Sequence, residues 1–291
     1  MPAIEDALLA AGALSITLRD QHDDPVLEPA PGEIRLWKSL VVTALFATDD
    51  QPDRIMSAFA DACETALPEC RFEQLPDSNW ERSWMARFKA MRFGRQLWVC
   101  PSHVEPPDPN AVNLRLDPGL AFGTGTHATT ALCLEWLAEA SEGIGESAGR
   151  ANALAGRTVL DYGCGSGILA VAASLLGAER VIALDIDPQA IQATRENAVR
   201  NGVSEIIETT AADTVDAGTA DIIVANILYA PLLELVDVFA DALQPGGVLV
   251  LSGVLEEQVD ALMLHYTQWF SFEQTRLLDG WAMLAAHRPP G

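Results

Sequence analysis

Asp161-Tyr162-Gly163-Cys164-Gly165-Ser166-Gly167 is the stretch on which the fold turns. The run before it, Thr158-Val159-Leu160, is short and apolar, and Ile168 to Leu176 after it is built of small apolar residues. The glycines therefore stand where a buried strand hands over to a helix. Without side chains, Gly163 and Gly165 permit positive φ and let the backbone approach a ligand, while Gly167 lets the helix start against a sheet. A second apolar strand, Val181 to Leu184, ends at Asp185, 22 residues beyond Gly163. A carboxylate in that place can accept hydrogen bonds from both hydroxyls of a ribose, so the two features together point to an adenosine-bearing cofactor. Dinucleotide loops of the G-x-G-x-x-G type need glycine at position 168, where Ile168 stands. The spacing is D-x-G-x-G-x-G instead; a dinucleotide stays open as the alternative, and a glycine turn without a ligand is the plainer one.

Working outward, Asp187-Pro188 reads as cap and first residue of a helix running to Val199. Ile222 to Ala225 and Val248 to Leu251 are further strands, with a helix expected between them from about Pro231 to Leu243. Strand and helix alternating in this way predict right-handed βαβ units on a parallel, doubly wound α/β sheet. Near the end, Phe272 to Leu278, the pair Asp279-Gly280 and Trp281 to His287 read as a β-hairpin, which makes the last strand antiparallel. Residues 1–76 read as a small α+β domain: a helix over Ile4 to Ala11, strands over Leu14 to Leu18 and Val41 to Ala47, and an amphipathic helix over Asp53 to Leu67. Residues 77–109, with Trp80 and Trp84 as packing aromatics, are expected to be a linker, and 110–291 the larger domain. Ala138 to Ala155, rich in Ala, Gly, Ser and Glu, is expected to be a loop.

The 41 acids against 18 bases give a formal charge of −23, which repels a phosphate backbone and favours a basic protein as partner. No direct nucleic-acid binding is expected; solubility is the plain alternative explanation of the charge. No apolar run is long enough to span a membrane and the N-terminus has no basic flank, so a cytoplasmic protein is expected. The five cysteines form no Cys-x-x-Cys pair, so neither disulfides nor a metal site is expected.

Two further stretches carry candidate chemistry. Asn226-Ile227-Leu228-Tyr229 follows the strand at 222–225, where the sheet presents its carboxyl edge. Asn226 either meets a substrate there or caps the next helix. Leu116 to Thr130 holds Phe122, Gly123, Gly125, Thr126 and His127, and its backbone and hydroxyl donors at a helix start suit a carboxylate or a loop closing over a cofactor. The lack of a Gly-Lys-Ser/Thr sequence argues against an NTPase. His127 is a candidate proton acceptor or, as the favoured reading, a structural residue at a helix end. Asp213 is either a contact for an adenine amino group or a turn acid.

The D-x-G-x-G-x-G loop resembles the first motif of the Rossmann-like methyltransferases, which implies S-adenosylmethionine as cofactor, with Gly163 and Gly165 beneath its methionine part. Leu116 to Thr130, Val159 to Leu169, Asp185 to Ile191 and Val224 to Leu228, with Pro31-Gly32-Glu33, Arg35-Leu36-Trp37 and Trp80 to Trp84, together resemble the bacterial methyltransferases of large-subunit ribosomal protein eleven. That likeness implies a seven-stranded methyltransferase sheet and a ferredoxin-like recognition domain. It implies cofactor contacts at Thr130, Gly163, Asp185 and Asn226, with Asn226 also the catalytic candidate. It further implies methylation of lysine ε-amino groups and of the N-terminal amine of a basic ribosomal protein; a methyltransferase for a small molecule or nucleic acid, and a cofactor-binding module without catalysis, are the alternatives, and a monomer is expected. The sequence departs from the family in two places. The small domain starts within a helix where the family has a strand, and Ala138 to Ala155 is longer than expected. Asn226 is followed by Ile227 and Leu228 rather than by the two prolines of Asn-Pro-Pro-Tyr methyltransferases.

Overall fold

The computed structural model describes residues 2–21, 39–47, 49–63, 67–74, 88–117, 125–143, 152–211, 216 and 219–290. Pro31 to Glu33, the Trp80 to Trp84 connector, Phe122 and Asp213 lie outside the described residues. The chain divides into two compact units, Met1–Ser78 and Asn79–Gly291.

In the first unit the helix α1 (Pro2–Ala10) is the first element. Strand β1 (Ser15–Asp20) pairs antiparallel with β2 (Leu40–Leu45), from Ser15↔Leu45 to Asp20↔Leu40. Helix α2 (Pro52–Ala62) follows, with Pro52 in the first turn, where its missing N–H costs nothing. Among the described residues of this unit the buried apolar ones are Ala7, Ile55 and Phe59, all on the two helices. The expectation of a helix to Leu67 is corrected: α2 stops at Ala62, where the apolar spacing that buries Ile55 and Phe59 ends and Cys63 turns extended.

Residues 91–100, expected within a linker, are strands of the second unit. β3 (Met91–Phe93) pairs antiparallel with β4 (Leu97–Cys100), which pairs parallel with β5 (Val112–Arg115). Tertiary contacts fix this short hairpin: its turn amides at Gly94 and Arg95 donate to Glu135 and Glu142 carboxylates at 2.8 and 2.7 Å. Both acids sit on α3 (Ala128–Glu142), which also carries residues 138–142 of the expected loop. Of that loop's remaining residues, 144–151 lie outside the described residues, and Ala155 forms an isolated antiparallel bridge with Ala178.

The main sheet is built from β6 (Thr158–Tyr162), β7 (Arg180–Leu184), β8 (Ile207–Thr210), β9 (Ala220–Asn226), β10 (Leu243–Leu255), β11 (Ser271–Leu278) and β12 (Trp281–His287). Between them run α4 (Ile168–Leu175), α5 (Pro188–Arg200), α6 (Tyr229–Glu234), α7 (Val236–Ala242) and α8 (Val259–Tyr266). The single helix expected from Pro231 to Leu243 is thus two, interrupted at Leu235. Strand order is β11-β12-β10-β9-β6-β7-β8; the five strands from β10 to β8 are mutually parallel, and β12 is antiparallel to β10. The β11–β12 turn places Asp279 at φ 50° and Gly280 at φ 78°, the primed geometry that an Asp-Gly pair favours.

Alternate residues of each parallel strand enter two different cores, as a pleated strand buried on both faces requires. Val159, Val181, Val224 and Val250 pack with Leu137 and Val171 on one face; Leu160, Ile182, Ile223 and Leu251 pack with Phe239, Leu262 and Tyr266 on the other. From β6 the chain winds outward through β7 and β8, then crosses back to β9 on the opposite side of β6. That reversal is a topological switch point, and ligands of open α/β sheets bind outside the carboxyl ends of the strands flanking it.

Candidate active site

Of the residues singled out from the sequence, Gly163, Gly165, Asp185, Thr130 and Asn226 gather at this switch point. The loop after β6 is tied to the neighbouring strand because the amides of Gly163 and Cys164 both donate to the Leu184 carbonyl, at 2.8 and 2.9 Å. Gly163 has φ 77°, and a Cβ there would lie 2.3 Å from Cγ2 of Ile227. Glycine is therefore required twice over, by conformation and by the residue that follows Asn226. Asp185, at the end of β7, accepts the Gly165 amide on Oδ2 and the Asp187 amide on Oδ1, each at 2.9 Å. A carboxylate oxygen has capacity for a further donor, so the side chain that holds the loop can still accept hydroxyl groups. Asp187 accepts from Gln189 N at 2.8 Å and caps α5, with Pro188 at its first position, as the sequence predicts.

Asp161, at the foot of the glycine loop, is a site residue that the spacing argument used only as a motif letter. It is 1% exposed; its Oδ2 accepts the Ala170 amide at 2.9 Å, and its Oδ1 has no hydrogen-bond partner among the described residues. Burial pushes this carboxyl up to about 7; the Ala170 hydrogen bond opposes the rise and the neighbouring Asp185 charge adds to it. Cys164 is also buried, and burial, then Asp161, hold its thiol far above the ordinary value. A thiol so protonated is no nucleophile, and it is 3.2 Å from the Thr194 hydroxyl.

On the other side of the switch point, Asn226 ends β9. Its Nδ2 donates to the Thr130 hydroxyl at 3.2 Å, joining two residues 96 positions apart in the chain. The helix-capping alternative for Asn226 is not realised: Leu228 holds the N-cap position of α6, without a side-chain cap. His127 is the N-cap of α3. Its Nδ1 accepts the Thr129 amide at 3.4 Å and lies 2.8 Å from the Thr129 hydroxyl, and its ring meets Trp281 edge-on at 5.0 Å. Thr126 immediately precedes it. Ile227, on Gly163, joins the Asn226–Thr130 pair to the Gly163–Gly165–Asp185 cluster. The sequence reads Trp281 only as a hairpin residue; its contact with His127 joins positions far apart in the chain, and no local pattern shows it.

This arrangement fits a nucleoside ligand bearing positive charge. A buried carboxylate oxygen without a partner is costly unless a cation or donor meets it, and Asp161 presents one at the base of the loop. Asp185 provides the hydroxyl acceptor a ribose needs.

Comparison with known proteins gives the same direction. The family model described as ribosomal protein L11 methyltransferase matches residues 1–289. The chain is similar to the ribosomal protein L11 methyltransferase of Nitrosococcus oceani, with 47% identity over 286 residues, 98% of this chain and 94% of the relative. It is similar also to that of Azotobacter vinelandii, with 48% identity over 284 residues, 97% of this chain and 93% of the relative. A solved ribosomal protein L11 methylase from Lactobacillus delbrueckii subsp. bulgaricus superposes with a TM-score of 0.60 at 33% identity, covering 69% of this chain and all of its own. With the glycine loop, Asp185 and Asn226 assembled at the switch point of this sheet, the chain belongs to the family of ribosomal protein L11 methyltransferases.

Proposed function

We propose that this protein transfers methyl groups from S-adenosylmethionine to amine nitrogens of ribosomal protein L11, namely lysine ε-amino groups and the N-terminal amine. The observation that carries the amine-directed reading is the Asn226–Thr130 hydrogen bond, which fixes an amide side chain beside the glycine loop at the carboxyl edge of the sheet. S-adenosylmethionine is the methyl donor; when bound it supplies a methyl group on a sulfonium, already activated for transfer, so no nucleophilic side chain is required. The protein's own residues then bind, align and exclude water. Gly163 and Gly165 admit the cofactor close to the backbone, Asp185 accepts its ribose hydroxyls, and Thr130 holds the Asn226 side chain. Asn226 and the neighbouring backbone carbonyls orient the incoming amine. A free lysine has a pKa of about 10.4, so its proton must leave first, and desolvation in the crevice favours the neutral amine.

His127 is a positioning residue here, since its ring nitrogen is engaged with Thr129 at the helix start. The first unit, with its two helices and antiparallel strand pair, is read as the ferredoxin-like recognition domain, and the acidic chain as suited to a basic protein rather than RNA. The test is to incubate the protein with labelled S-adenosylmethionine and unmodified ribosomal proteins, with and without ribosomal RNA, and to locate the label by mass spectrometry. Label on amines of ribosomal protein L11 is expected; label on RNA, or on no macromolecule, overturns the proposal.

A further inference from the structure

Strand β10 carries a bulge at Ser252-Gly253 that lies under both halves of the Asn226–Thr130 pair. Ser252 is fully buried and stands beside Asn226 in the β9–β10 register, with Met283 across from it in β12. Its hydroxyl lies 3.0 Å from the Ala282 carbonyl and 3.3 Å from the Thr129 carbonyl, and it also hydrogen-bonds the Cys133 thiol one turn further along α3. It thus ties the first turn of the helix that carries Thr130 to the sheet. Gly253 has φ 89°, and a Cβ on it would lie 2.1 Å from the Ile227 carbonyl oxygen and 2.7 Å from its carbonyl carbon. Only glycine lets the Ile227–Leu228 peptide come so near. The register with β12 shifts between Ser252 and Val254, yet pairing resumes at Val254↔Ala282 and Leu255↔Trp281. The bulge therefore does not end the ladder. It redirects the strand where the β9 pairing stops, at Ser252↔Asn226.

We propose that Ser252-Gly253 is a positioning device which sets the Asn226 and Ile227 backbone and the Thr130 hydroxyl at their working separation. The inference rests on the reading of Asn226 as the residue that orients the amine. Asp185 holds Gly165 through a hydrogen bond that does not pass through Ser252 or Gly253, whereas Thr130 and Asn226, themselves expected cofactor contacts, are the groups the bulge positions, so cofactor affinity is measured beside kcat.

The test compares Ser252→Ala, Ser252→Cys, Gly253→Ala and Asn226→Ala for melting temperature, S-adenosylmethionine affinity by calorimetry, and kcat and KM with ribosomal protein L11. Ser252→Ala is expected to fold and to keep KM for ribosomal protein L11 within about twofold while kcat at saturating cofactor falls about tenfold, the effect of one buried hydrogen bond on a barrier, with any rise in cofactor Kd smaller than that fall. Ser252→Cys is expected to recover part of that loss, because a thiol still donates. Gly253→Ala, if it folds, is expected to lose about a hundredfold in kcat, the scale of a misplacement near 1 Å; if it does not fold, the Ser252 pair decides. A folded Ser252→Ala with wild-type kcat shows the bulge to be structural only and overturns the proposal, as does a rise in Kd that accounts for the lost activity. Full activity in Asn226→Ala brings down the reading of Asn226 itself, a different outcome from an active Ser252→Ala beside an inactive Asn226→Ala.

Discussion

Two carboxylates at the switch point differ in what surrounds them. Asp185 is half-buried with two backbone amides on its oxygens, so Asp185→Ala removes the clasp on Gly165 and, with it, the proposed acceptor for the ribose. The loss of charge-assisted hydrogen bonds of about 1.5–3 kcal/mol each predicts cofactor affinity at least tenfold weaker by calorimetry, and unchanged affinity contradicts the role. Asp161 is buried with one oxygen unmet, and burial holds its carboxyl at about 7, against about 3.9 unfolded. Between those values the native protein keeps a proton that the unfolded chain has released, so this group's contribution makes stability fall as pH rises through the window and leaves it lower above about 7. Denaturation of the ligand-free protein across that range is predicted to show a downward slope that Asp161→Asn flattens; the same slope in the variant contradicts the assignment. For His127→Ala, loss of the N-cap is expected to cost about 1 kcal/mol of stability. Its kcat should fall less than tenfold, whereas a general base would cost about a hundredfold or more.

At the scale of elements, the glycine loop is held between the end of β7 and the Ile227 side chain. Gly163→Ala must shift Ile227 and accept a left-handed φ of 77°, a conformation that costs an L-residue about 1–2 kcal/mol. Chemical denaturation should register at least that loss, together with weakened cofactor binding; a variant as stable and as tight as wild type contradicts the packing described. The loop, Asp185, the cap at Asp187 and the Asp279-Gly280 hairpin were legible in the sequence because each is a local device with its own residue chemistry. The strands β3, β4 and β5 were not: they are three or four residues long, and their pairing joins Leu97–Cys100 to Val112–Arg115 with the turn fastened to α3 by Glu135 and Glu142. The break at Leu235 was equally hidden, since the apolar residues run through it without a glycine or proline at the break. Thr130 meets Asn226 across 96 residues, and only the family likeness, not periodicity, pointed to both. Gly253 had a readable sign, an isolated glycine inside an apolar strand run, which commonly marks a bulge or a close backbone approach.

For the whole molecule, the two cores on either face of the sheet give a frame on which loops from β6, β7 and β9 converge. A ligand bound there couples to global stability: S-adenosylmethionine at a hundred times its dissociation constant should add about 2.7 kcal/mol. At about 2–4 °C per kcal/mol for a unit of this size, a rise of roughly 5–10 °C in melting temperature is expected for the 79–291 unit. The same frame, with an acid such as Asp185 after the second strand, is shared by dinucleotide-binding sheets, and what separates this one is Ile168 where a third loop glycine would stand. The most direct measurement is calorimetric titration of the purified full chain with S-adenosylmethionine and, separately, with NAD. The account predicts saturable one-to-one binding of the first, weakened by Asp185→Ala, and none of the second at the same concentrations; equal or tighter binding of NAD, or no heat with S-adenosylmethionine, contradicts it.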